Sequence, residues 1–369
     1  MSVFPCSASL LAALLLAGAL PAAAQLSGAQ PDPLARIREA AKTDVQACSA
    51  TGESLCEQVA PKIISYAQGD SPLADNFRRL ALKISERKPE TPAEIVSWGV
   101  SAFRAAGVDV HTEMDAIPLL GPAASTNVLE IVVAEIRGRE RPDEWVLLGA
   151  HLDSRDPDAI NAASNAALVV EAARDIQLTG IRPRRSIRFV LFTGALQEKL
   201  GSWAYVHAHR GELDRVRAAI IFSSGAGRVT GYMLNGRHDI ESGVREAMKP
   251  LEAWGAGRNV FNALLGTDNF DFFLEGVPAI FADQEGAKYA NVLQHFPEAL
   301  YRLNIQELKR NTAIAAVTAF GIAERAEPLG PRQSRAEIES LLKTTGLGQQ
   351  MKIAGLWPLW ESGRRGRLP

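Results

Sequence analysis

The chain has 369 residues, 47% of them hydrophobic, and a formal charge of −2 at pH 7. That length and apolar content suffice to bury a large core as one α/β domain or two smaller ones. The near-zero charge argues against binding nucleic acid, which relies on a basic surface.

The first 24 residues read as a secretory signal, with the apolar run Leu10–Leu20 followed by small residues, Ala22-Ala23-Ala24, before Gln25. The run is too short to span a bilayer. A periplasmic or secreted protein is expected, with no membrane attachment once the signal is cleaved. Cys6 leaves with the signal, so Cys48 and Cys56 remain as an even pair in an oxidising compartment. A short-loop disulfide is the expectation and two free thiols the alternative.

Residues 31–70 look helical and mixed in charge. Thr91-Pro92-Ala93-Glu94 is a helix start: Thr as N-cap, Pro at the first helical position, Glu three residues after the cap. Ile95, Trp98, Ala102, Phe103 and Ala106 follow at helical spacing, and Gly107 stops the helix. Strand-like segments follow at Val108–Glu113, Val128–Gly138 and Trp145–Ala150. A helix over Ser164–Ile176 leads through the turn at 180–183 to a strand at Ser186–Thr193. Further strands are expected at Ala218–Phe222 and Val277–Ala282. A long helix begins at Asn304, burying Leu308, Ala315, Ala319 and Ile322, and a last one spans Arg335–Lys343. Strands alternating with helices imply crossover units and parallel central strands. The tail after residue 350 either packs its tryptophans on the main domain or forms a free basic end.

Several motifs then converge. HLDS at 151–154, EAAR at 171–174, RFVLFTG at 188–194, LGSWAY at 200–205 and GTDNFDFFLEGVPAIFA at 266–282 resemble the co-catalytic zinc aminopeptidases and carboxypeptidases related to carboxypeptidase Q. The resemblance runs from about residue 75 to the end. It implies a three-layer α/β, zinc-exopeptidase-like fold with a mixed, mostly parallel sheet flanked by helices. It also implies an organisation of signal (1–24), N-terminal helical segment (25–74), peptidase-like domain without the protease-associated insert of many relatives (75–326), and a C-terminal helix and tail packed on that domain (327–369).

Peptide hydrolysis by such proteins needs two divalent cations held by His and carboxylate, and a carboxylate that deprotonates the attacking water. By resemblance, His151 matches the first ligand, and Asp153 the residue that orients it. The bridging Asp falls on Asn161. Ala195 stands at the general-base position and Leu196 at the ligand after it. The next Asp position falls on Ser223, or on Ser224 if the register slips. His295 matches the last ligand, and the family's GTDH becomes GTDN, ending at Asn269. Two of five ligands survive and every anionic one is replaced, so no zinc is expected. The vestigial cleft would then comprise His151, Asp153, Asn161, Leu196, Ser223, Asn269 and His295. The expected role is a pseudopeptidase that binds a peptide or an active paralogue. The alternative is residual peptidase activity from a single metal rewired onto Asp156, Asp158, Glu198 or Glu298.

Other signals are weaker. His207 and His209 lie two apart on a predicted helix, share no face, and read as surface residues. Gly225-Ala-Gly-Arg-Val-Thr-Gly231 superficially resembles a dinucleotide loop, but its third glycine is displaced and no helix follows. Neither GxSxG nor HExxH occurs. Arg184-Arg185 and the arginines at 364–367 read as solvated charge.

Overall fold

A computed structural model describes residues 55–86, 91–118, 126–154, 159–194, 200–285 and 299–368. Its elements in chain order are α1 (Leu55–Gln68), α2 (Leu73–Glu86), α3 (Thr91–Ala105), β1 (Asp109–Pro118), β2 (Thr126–Ile136), β3 (Arg141–His151), α4 (Ala159–Leu178), β4 (Arg185–Phe192), α5 (Leu200–Ala208), β5 (Val216–Ile221), β6 (Val229–Met233), α6 (Glu241–Met248), α7 (Asn269–Leu274), β7 (Ala279–Gln284), α8 (Ala299–Arg302), α9 (Ile305–Glu324), α10 (Arg335–Thr344), α11 (Leu347–Ile353) and α12 (Trp357–Glu361).

The strands form one mixed sheet in the order β1-β2-β4-β3-β5-β7-β6. The inner four, β4, β3, β5 and β7, run parallel, whereas β1, β2 and β6 pair antiparallel. Strand β3 shows why the sheet needs cover on both sides. Alternate side chains point to opposite faces, and both are buried. Val146, Leu148 and Ala150 pack against α1–α4 and α9, while Trp145 and Leu147 pack against α5, α7 and the C-terminal helices. Helices on both faces of a mostly parallel sheet make the expected three-layer α/β architecture.

Three differences from the sequence reading have local causes. Helix α4 starts five residues before the expected Ser164, because Ala159, Ala162 and Ala163 extend it with the strongest helix former. Asn161 therefore sits in the first turn of a helix. Strand β6 takes up the end of the glycine-rich stretch at 225–231, where no strand is expected. Its Gly231 lies so close to the backbone of Arg258 that a Cβ would fall 1.9 Å from that carbonyl oxygen, and a Cβ on Gly227 would fall 1.7 Å from the carbonyl oxygen of Glu285. Those glycines serve close backbone packing. Of the C-terminal arginines, Arg364 is exposed as expected, but Arg365 differs: it is 4% exposed and paired with Asp271 on α7. Trp360 is fully buried, with the Arg335 guanidinium over its ring.

The pair at 184–185 is likewise engaged. Arg185 is buried on Glu144 and on the backbone carbonyls of Arg325 and Ala326. Cys56 is a free cysteine in α1, and burial, with Glu324 and Glu57 nearby, pushes its thiol up to about 12. Its expected disulfide partner, Cys48, lies outside the described residues. Among the described residues, no helix is long and apolar enough to cross a membrane.

Candidate functional site

In a sheet of this kind, ligands bind in the crevice outside the carboxyl ends of the parallel strands. His151 ends β3, Ser223 follows the end of β5, Asn161 stands in the first turn of α4, and Asp268 immediately precedes α7. His151 and Asp268 are almost wholly buried, 3% and 1% exposed.

His151, Ser223 and Asp268 meet directly. His151 Nδ1 lies 2.9 Å from Ser223 Oγ and 3.3 Å from Asp268 Oδ2, and Ser223 Oγ donates to the same Asp268 oxygen at 3.4 Å. The residue types suggest a serine-hydrolase triad, but the connectivity excludes it. A triad needs the carboxylate on one imidazole nitrogen and the serine on the other, so that the second can take the hydroxyl proton. Here both partners converge on Nδ1.

The expected site residues fall as follows. Ser223, rather than Ser224, faces His151; Ser224 turns toward Gln284 and the carbonyl of Ala282 on β7. Asn161 Oδ1 is buried with no hydrogen-bond partner among the described residues and faces the third loop, 3.4 Å from where a Cβ on Gly225 would sit. Asp153 Oδ2 accepts from the Gly194 backbone N–H at 3.1 Å, tying the first loop to the second. The carboxylate at His151 Nδ1 is that of Asp268, which the sequence reading passed over for its neighbour. Asn269 is turned behind the crevice, where its Nδ2 donates to Asn235 Oδ1 at 3.2 Å. Ala195, Leu196 and His295 lie outside the described residues, as do Asp156, Asp158, Glu198 and Glu298.

A two-zinc centre does not fit this donor set. Asn161 and Ser223 offer neutral oxygens, while alanine and leucine carry no side-chain donor at all. Two dications at ~3.5 Å repel by roughly 20 kcal/mol at an effective dielectric near 20. Bridging and terminal carboxylates normally offset that repulsion, and among the described residues none occupies a matching position. Among the described residues, the side chains with metal-ligand spacing lie elsewhere, where Glu113, Asp115 and His209 bring ligand atoms within 4.8 Å of one another.

Comparison with known proteins agrees with this fold. The model of Peptidase family M28 matches residues 131–318, about half of the chain. Rat carboxypeptidase Q is 28% identical over 199 residues, which cover 53% of this chain and 42% of the rat protein. The match thus spans less than half the length of that relative. Among solved structures, a peptidase M28 precursor from Shewanella amazonensis superposes with a TM-score of 0.65 at 18% identity, covering 76% of this chain and 99% of that one. The LapA aminopeptidase of Legionella pneumophila superposes with a TM-score of 0.55 at 16% identity, covering 72% and 76%. At these identities the superpositions show a common fold.

Proposed function

Because the chain belongs to peptidase family M28, we propose that it keeps the architecture of a zinc exopeptidase without the reaction, and holds a peptide end in the crevice as a binding or scaffold protein. The observation that carries this reading is that His151 meets Ser223 and Asp268 at the carboxyl ends of the parallel strands, while each position that by resemblance would carry an anionic ligand holds a neutral side chain. His151 remains buried and held by Asp268 and Ser223, but the groups that would bind and activate water are Asn161, Ala195, Leu196 and Ser223. Losing a general base typically costs ~10²–10⁴ in rate. Losing the metals as well removes both nucleophile and electrophile. The unmet acceptor Asn161 Oδ1 suits an N–H of a peptide.

The partner in this reading is a peptide or an active paralogue, and the place is the periplasm or the exterior, from the apolar run before Gln25. A second reading, a single-metal peptidase, has in its favour only that His151 stays buried with Asp268 on Nδ1.

The test is thermal unfolding of the mature protein with a library of short unblocked peptides, alongside a cleavage assay with and without chelator. A ligand at 100 times its Kd adds ~2.7 kcal/mol of stability, so binding raises the melting temperature. Chelator-sensitive cleavage that disappears in His151→Ala would overturn the proposal. The absence of any peptide-induced shift would refute the binding role.

A further inference from the structure

The cluster at Glu113, Asp115 and His209 lies at the edge of the sheet, on its first strand. Strand β1 is separated from β3 by β2 and β4. At about 4.8 Å per strand, the cluster is set roughly 14 Å from the crevice along the sheet. Glu113 and Asp115 are two apart on β1 and so share a face, the face on which α5 packs. His209 follows the end of α5.

The geometry around His209 is built rather than incidental. One ring nitrogen, Nε2, lies 2.8 Å from Glu113 Oε2, and the other, Nδ1, lies 3.1 Å from Glu212 Oε2. The ring is also packed on Tyr205, with centroids 4.3 Å apart. Glu113 keeps a second contact, its Oε1 2.9 Å from His111 Nε2. Asp115 supplies an independent observation. It is only 8% exposed, and its Oδ2 is buried with no hydrogen-bond partner among the described residues, although its carboxylate is within 4.8 Å of the Glu113 and His209 ligand atoms. A buried carboxylate oxygen without a donor costs free energy unless something positive meets it. The Arg188 guanidinium, which approaches the same face, is engaged by Glu135 at 2.8 Å and lies over the Trp145 ring.

We propose that Glu113, Asp115 and His209 bind one divalent transition-metal ion of the zinc class, with Glu212 as the outer carboxylate that orients His209. One imidazole and two carboxylates are a borderline donor set that suits zinc, whereas calcium and magnesium prefer oxygen alone. A carboxylate on the far nitrogen of a ligating histidine fixes its tautomer and turns the other nitrogen to the metal. Three protein ligands leave a fourth position for water or for His111. The ion would pin the edge strand β1 to the end of α5. The proposal uses no crevice residue and does not depend on the function proposed above.

The full mature chain, stripped with chelator and dialysed, is titrated calorimetrically with zinc chloride. The expected result is one zinc per chain with a rise in melting temperature. Asp115→Asn and His209→Ala should each weaken binding at least 100-fold, Glu212→Gln by about 10–100-fold, and His151→Ala should leave it unchanged. Anomalous diffraction at the zinc edge from wild-type crystals locates the ion without relying on any variant's folding. Failure of the wild type to take up zinc, zinc bound at His151 instead, or full affinity in a folded Asp115→Asn variant would each overturn the proposal.

Discussion

Arg365 grips the buried carboxylate of Asp271 with two hydrogen bonds, from Nε at 2.7 Å and Nη2 at 3.1 Å. Ser202 Oγ, on α5, donates to the same carboxylate at 2.8 Å. The C-terminal tail is thereby locked to two helices on one face of the sheet. Removing one partner of a buried ion pair leaves an uncompensated charge and costs about 3–5 kcal/mol. Arg365→Ala should lose that much in urea unfolding. Arg365→Lys should recover only part of it, because an ammonium cannot make the two-pronged contact.

Asp175 on α4 is fully buried and next to Glu171. Burial, then the charge of Glu171, raises its carboxyl to about 8, against the opposing pull of Arg174. In the unfolded chain the value is about 3.9. Between those values the native state holds a proton that the unfolded state has released. The stabilising contribution is therefore full below the lower value and is lost as pH rises toward about 8, by up to about 1.4 kcal/mol per pH unit. Urea midpoints measured from pH 4 to pH 9 should show that fall, and Asp175→Asn should flatten it.

Gly201, in the first turn of α5, touches the second loop. A Cβ there would stand 1.9 Å from the Thr193 carbonyl oxygen, a backbone atom that cannot swing aside. Gly201→Ala should lower stability by at least about 1–3 kcal/mol, the usual cost of overpacking, read as a drop in melting temperature.

Restoring the lost carboxylates tests whether those positions alone withdraw the chemistry. Asn161→Asp, Ala195→Glu, Leu196→Glu and Ser223→Asp combined, on the retained His151 and His295, should add zinc binding at the crevice and chelator-sensitive peptide cleavage. The same protein with Ala195 left in place should be slower by ~10²–10⁴. Ser223→Asp alone should be destabilising, because it sets a second carboxylate beside Asp268.

Much of the fold was legible because local chemistry and burial agree. The long helix starts where Asn304 accepts from the backbone N–H groups of Gln306 and Glu307, and α10 starts in a capping box between Ser334 and Glu337. The inner strands appear as apolar runs because both their faces are covered. Strand β6 was not legible: it is a five-residue edge strand interrupted by Gly231, whose glycine answers to a neighbouring backbone far along the chain. Asp268 was missed for a related reason. The GTDN segment carries its carboxylate one residue before the position compared, and only the turn into α7 shows that Asp268 enters the crevice while Asn269 leaves it.

The amino-acid sequence by itself determined the alternation of strands and helices with parallel central strands, and its resemblance to the zinc exopeptidases pointed to the three-layer architecture and to the positions of the candidate site. Apolar periodicity decides the elements, because a buried face recurs at the period of the helix or strand that carries it. Only the tertiary structure decided which polar groups meet. It placed Ser223 and Asp268 on one nitrogen of His151, and it set His209, which reads as a surface residue, between Glu113 and Glu212. The crevice contacts join residues 45 to 117 positions apart, and at the sheet edge His209 meets Glu113 from 96 positions away. Side-chain meetings across such separations depend on sheet register and helix packing, which no local pattern encodes.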